Sequence, residues 1–136
     1  MTPLRYLLDT NICIYIAKQR PPSVAEQFDR LAAGAVGMSL VTFGELHYGA
    51  EKSSQRASAL EILARLQELI PVIAMDNRVG ESYGVLRGRQ ERSGTPIGNN
   101  DLWIAAHALA LDLTLVTNNT REFARVPGLR LANWIE

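Results

Sequence analysis

Four acidic residues stand where an acid has little local support in this chain of 136 residues. Asp9 closes the apolar run Tyr6-Leu7-Leu8, and Asp101 opens Asp101-Leu102-Trp103-Ile104-Ala105-Ala106. Glu45 lies within Val41 to Ala50, apolar in almost every direction and without a Lys or Arg inside one helical turn. Glu122 follows the polar stretch Thr117-Asn118-Asn119-Thr120. Taken singly, each has an ordinary explanation. Asp9 or Thr10 is a sound helix N-cap, Asp101 and Glu122 suit the positive end of a helix dipole, and Glu45 could pair with a cation from another element. Brought together, the four would repel one another and some would be pushed to higher pKa. A hard divalent cation resolves that conflict, and oxygen-only ligands favour Mg²⁺ or Mn²⁺ over zinc. Such an ion keeps several waters, which can be activated as nucleophiles or exchanged for phosphate oxygens. The chemistry indicated is hydrolysis of a phosphate ester.

Only a fold that gathers distant strand ends could bring these acids together. Short apolar runs read as strands at Arg5 to Asp9, Val36 to Leu40, Val72 to Ala74, Leu113 to Val116 and Leu129 to Ala132. Between them, helical patterns are predicted over Asn11 to Lys18, Ser23 through Leu31 to Gly34, Val41 to Ala50, Ser54 to Ile70, Asn77 to about Arg92, and Asp101 to Leu111, with a short turn at Arg121 to Ala124. Strands alternating with helices imply right-handed crossovers and a mainly parallel sheet covered on both faces. The fold class is α/β, one domain over residues 1–136. Ligands of such sheets collect beyond the carboxyl ends of the strands, where Asp9 and the Thr117 segment fall.

Composition narrows the field. Apolar residues make up 47% and charged residues 21%, the balance of an ordinary globule. The single cysteine, Cys13, rules out an internal disulfide and a cysteine-rich zinc knuckle. The longest apolar run, Leu102 to Leu111, is too short for a membrane span, and the start lacks a secretory pattern, so a cytoplasmic protein with no membrane association is expected. Fourteen basic residues balance fourteen acidic ones, which argues against a simple basic nucleic-acid coat. Setting the four site acids aside leaves the remainder net basic, with Arg87, Arg89 and Arg92 its densest stretch.

The ordered set of motifs resembles the PIN-domain ribonucleases, specifically the VapC toxin branch of type II toxin–antitoxin systems. The pieces are Leu7-Leu8-Asp9-Thr10-Asn11, then Ser39, Thr42 and Glu45, then Pro96-Ile97-Gly98-Asn99-Asn100-Asp101 running into Ile104-Ala105-Ala106-His107-Ala108, and finally Val116-Thr117-Asn118-Asn119-Thr120-Arg121-Glu122-Phe123. They span nearly the whole chain. Within that branch the chain is most similar to the group that cleaves initiator tRNA in its anticodon loop. The resemblance implies a Mg²⁺-dependent endoribonuclease with Asp9, Glu45, Asp101 and Glu122 as the catalytic acids. Asp9, Asp101 and Glu45 would hold the metal, the two aspartates directly. Many PIN domains carry a further aspartate where this chain has Asn118; Glu122 then substitutes, through a water, or the resting site holds a single ion. Asn11, Thr117 and Asn118 would support carboxylates or substrate phosphate. The implied reaction is in-line attack of an activated water on a backbone phosphorus, leaving a 5′ phosphate and a 3′ hydroxyl. The implied partners are RNA, a VapB-type antitoxin and a second copy of the chain, with Ile12, Tyr15 and Ile16 on the first helix as antitoxin contacts or core.

The remaining features read as structure. His47 and His107 point away from Glu45 and Asp101 around their helices, so both are expected to be structural. Cys13 reads as a small core residue. Gly80, Gly84 and Gly88, four apart on one helix, suggest close helix packing in the core or between two copies. Two rival functions follow from the residues. A phosphatase of small phosphate esters is disfavoured because Asn11 stands where haloacid-dehalogenase enzymes need a second aspartate. An inactive scaffold that only binds RNA or a partner is disfavoured because all the main acids are present.

Overall fold

The structure is a computed structural model describing residues 2–135. Five strands, β1 (Tyr6–Leu8), β2 (Val36–Ser39), β3 (Val72–Ile73), β4 (Thr114–Val116) and β5 (Leu131–Ala132), form one sheet in the order β3-β2-β1-β4-β5, every pair parallel. Seven helices connect them: α1 (Thr10–Lys18), α2 (Pro22–Asp29), α3 (Leu40–Glu51), α4 (Arg56–Leu69), α5 (Asn77–Ser93), α6 (Asn99–Ala110) and α7 (Thr120–Phe123). The chain builds outward from β1 to β3 and then returns to lay β4 on the other side of β1. The strand order therefore reverses between β1 and β4, which opens a crevice at their carboxyl ends. Leu8 pairs with Val116, so the residues that follow, Asp9 and Thr117, emerge side by side.

Alternation along the strands sends neighbouring side chains to opposite faces. Leu7 and Leu115 join Leu86, Leu102, Ile104 and Phe123 on one face, while Leu8 and Val116 join Met38, Ile12, Leu63 and Ile70 on the other. Both faces are thus sealed by helices, as a parallel sheet requires. No helix among the described residues is long and apolar enough to cross a membrane.

The predicted elements are present in order, with shifted ends. Helix α2 begins at Pro22, with Pro21 at its cap and no capping side chain, because a proline's fixed φ suits the first helical turn better than Ser23 is needed there. It stops at Asp29; the chain then turns toward β2 through Gly34 at φ +93°. The glycines of α5 do not mark close packing within the chain. A Cβ built on Gly80 or Gly84 meets nothing within 4 Å, and both positions face outward. The close approach lies instead at Gly37 in β2, where a Cβ would stand 2.6 Å from Ile73 Cγ1 and 3.2 Å from the Pro71 carbonyl oxygen.

Candidate active site

The first acid is fixed before any ligand arrives. Asp9 is 7% exposed and caps α1: its Oδ1 accepts from the Ile12 amide at 3.0 Å, and its Oδ2 accepts from the Thr117 hydroxyl at 2.5 Å. The capping role and the site role are therefore held by one side chain. Burial pushes its pKa up, the Thr117 and Ile12 hydrogen bonds pull it down, and the charge of Glu45 pushes it up again. Thr117 is itself fully buried and orders the next turn by accepting from the Asn119 amide at 2.9 Å.

Glu45 reaches the same place from α3. That helix is capped by Ser39, whose Oγ accepts from the Val41 amide at 3.2 Å. Although α3 is apolar in almost every direction, it is not buried all round: Leu40 and Tyr48 are 48% and 64% exposed, and Glu45 is half-buried. Its Oε1 accepts from the Thr10 hydroxyl at 2.5 Å, and its Oε2 lies 3.5 Å from the Asn100 amide nitrogen. Its partners are neutral donors, not the cation from another element that a salt bridge would supply.

Asp101 stands in the first turn of α6, whose cap, Gly98, provides no side-chain bond. Its pKa is pushed up to about 7, first by burial, then by a hydrogen bond with Glu122 and by the charges of Glu122, Glu45 and Asp9. Glu122 is held the other way, below the usual range, chiefly because the Gly98 amide donates to its Oε1 at 3.0 Å.

Asp9, Glu45 and Asp101 line one open pocket of about 180 Å³ with Thr10, Asn11 and Asn119. Six ion pairs occur among the described residues, and none includes Asp9, Glu45, Asp101 or Glu122. The donor set is thus all oxygen and carries uncompensated negative charge, the chemistry that suits a hard cation. As the side chains stand, no three acidic, histidine or cysteine groups among the described residues converge closely enough to grip one ion directly. A cation that keeps part of its water shell fits this spacing better than a fully dehydrated one.

Several expected roles are relocated. Asn118 turns outward and accepts from the Asn133 side chain at 3.4 Å, while its neighbour Asn119 lines the pocket. Glu122 lies behind Asp101 and is not part of the pocket wall. Ile12 and Ile16 are buried in the core beneath α1, with Tyr15 packed against it. The open face of α1 carries Ile14, Ala17 and Lys18, which border a groove of about 570 Å³ floored by Leu46, Ile62 and Leu66. His107 is fully buried with Nδ1 2.9 Å from Ser39 Oγ, and burial lowers its pKa. His47 packs on Phe43 and sits 3.8 Å from Glu51. Neither histidine borders the acidic pocket. Thr10, Asn100 and Asn119 went unremarked in the sequence as holders of site acids; the only signal was their adjacency to Asp9, Asp101 and Thr117.

A parallel sheet with carboxylates gathered beside its switch point has the plan of a PIN domain, and the sequence profile of that family, described as PIN domain, matches residues 6–129. The tRNA(fMet)-specific endonuclease VapC of Shigella flexneri is 44% identical over 131 residues, covering 96% of this chain and 98% of that one. Among solved structures, a DNA-bound VapBC from Salmonella typhimurium superposes with a TM-score of 0.91 at 37% identity, covering 97% of this chain and 99% of that one. A VapBC structure from nontypeable Haemophilus influenzae gives 0.90 at 37% identity, covering 98% and 100%. The chain belongs to the PIN-domain family, in its branch of VapC ribonuclease toxins.

Proposed function

We propose that this protein is the toxin of a toxin–antitoxin pair, a Mg²⁺-dependent endoribonuclease that cleaves tRNA, with initiator tRNA the favoured substrate. The observation that carries the reading is the pocket itself: three carboxylates line it, and none of them is paired with a cation among the described residues. The tRNA preference is supported by the Shigella relative, named for its tRNA(fMet) specificity.

Asp9, Glu45 and Asp101 would hold the ion. Bound there, Mg²⁺ or Mn²⁺ would supply positive charge for a phosphodiester and lower the pKa of a water. The chain's own contribution is rigidity. Thr117 and the Ile12 amide fix Asp9, and Thr10 fixes Glu45, so little reorganisation remains when substrate arrives. Asn11 presents an exposed amide at the pocket mouth, a neutral donor for a phosphate oxygen. Arg121, exposed on α7, adds positive charge on that side for a single-stranded loop of RNA.

The partner reading is supported by the VapBC assemblies among the structural relatives. The groove between α1, α3 and α4 is apolar, borders Thr10 and Glu45, and would take an amphipathic antitoxin helix. A homodimer in the cytoplasm completes the proposal.

Purified protein incubated with total RNA should cut tRNA in Mg²⁺ or Mn²⁺, stop in EDTA, and leave ends bearing 5′ phosphate and 3′ hydroxyl; Asp9→Ala should be inert. Cleavage that persists in EDTA, or survives in Asp9→Ala, would refute the metal reading.

A further inference from the structure

Glu122 differs from the other three acids in where it points. It does not border the pocket that Asp9, Glu45 and Asp101 line. Its Oε1 accepts from the Gly98 amide at 3.0 Å, and its Oε2 accepts from the Asn119 side chain at 2.6 Å. Both oxygens are therefore engaged, one by the cap of α6 and one by the residue that precedes α7. Gly98 is the cap of α6 and lacks any side-chain cap of its own. A Cβ at Gly98 would lie 3.7 Å from Asp101 Oδ2 and 3.9 Å from Glu122 Oε1, so the backbone here runs directly against both carboxyls. The preceding loop is tied elsewhere as well: Thr95 donates to Gln90 Oε1 at 2.7 Å, and Arg125 donates to the Pro96 carbonyl at 3.0 Å. Those ties end at Pro96. The bond from Gly98 to Glu122 carries the fixation on to the first turn of α6, where Asp101 sits.

We propose that Glu122 is a positioning residue, a latch between α7 and the start of α6 that aims Asp101, and that it does not touch the metal. The proposal deepens the metal-dependent reading above and rests on it for the identity of the ion. A glutamine at this position keeps an oxygen for the Gly98 amide, and Asn119 can turn its own amide so that its oxygen accepts from the glutamine N–H. Alanine removes both bonds.

The test reads Mn²⁺ binding by electron paramagnetic resonance on ion-free protein, and exchange of the Gly98 amide by NMR. Asp9→Asn serves as the ligand control, since asparagine still caps α1. Glu122→Ala should weaken Mn²⁺ binding about tenfold, the usual effect of removing a group that orients a ligand, and should speed Gly98 exchange. Glu122→Gln should restore both, with affinity within about threefold of wild type, whereas Asp9→Asn loses about tenfold or more with Gly98 still protected. Glu122→Gln falling as far as Asp9→Asn while Gly98 stays protected would overturn the latch and make Glu122 a ligand. Unchanged Gly98 exchange in Glu122→Ala would overturn it too. Wild-type protein that binds no Mn²⁺ would count against the metal reading, and the latch would then be judged on Gly98 exchange alone.

Discussion

At the scale of single residues, the site is a set of charges held against their preference. Asp101 shows this most directly, with a pKa of about 7 caused by burial and by three acidic neighbours. An acid whose pKa is raised on folding binds more protons folded than unfolded, so stability falls as pH rises from its ordinary value near 4 through about 7. Asp9 is shifted the same way, and the depressed Glu122 acts only on the acid side, below its ordinary value. In EDTA the protein should therefore melt higher at about pH 5 than at about pH 8, and Asp101→Asn should flatten that dependence in calorimetry. The same variant should lower cleavage roughly 100-fold or more while leaving metal-free stability equal or greater. A large loss of melting temperature in EDTA would make Asp101 a structural residue. Asp9, Glu45 and Asp101 were legible in the sequence because each is an acid in an apolar setting. Thr10 and Asn119 were not, because a hydroxyl or amide beside a turn is common, and only the folded sheet decides which carboxylate it meets.

At the scale of elements, apolar runs, helical periodicity and chain breakers together reveal which segments are strands and helices, and they do so here for the twelve described elements. They are blind to packing between elements, and the glycines show the difference. Three of them at helical spacing on α5 suggested close approach, yet Gly80 and Gly84 look onto open space. Gly37 carried no sequence signal, yet it is where β2 presses against the β3 residue Ile73 and the Pro71 carbonyl. Only the pairing of Met38 with Val72 puts them there. Gly37→Ala should cost about 1–3 kcal/mol in urea denaturation, the range for overpacking a filled site. Ile73→Ala in that background should return part of the loss, since the two residues are in contact and their effects will not add. Because β2 delivers α3, and with it Glu45, the single variant should also lower activity more than its melting curve alone accounts for. A neutral Gly37→Ala would show that the two strands can spread freely.

At the scale of the whole molecule, one topological fact organises both functions. Reversal of strand order between β1 and β4 sets Asp9 beside Thr117, and α1, which starts immediately after Asp9, carries its outer face into the apolar groove. Thr10 and Glu45 border both the acidic pocket and that groove, so anything filling the groove sits at the rim of the site. On the proposed reading, a partner helix bound in the groove would also obstruct access to the acids. Ile62 separates the two functions experimentally: it lies on α4, is 48% exposed, and borders the groove but not the acidic pocket. Ile62→Glu places a charge against an apolar partner helix without disturbing the core. Affinity for the antitoxin should fall about tenfold or more in calorimetric titration, a loss of about 1.4 kcal/mol or more. Cleavage of tRNA and the melting temperature should stay at wild-type levels, and co-expressed antitoxin should no longer relieve growth arrest. Retained antitoxin affinity would move the docking surface elsewhere on the molecule. Lost cleavage would mean that RNA, rather than the antitoxin, lies across α4, and the groove would then belong to the substrate.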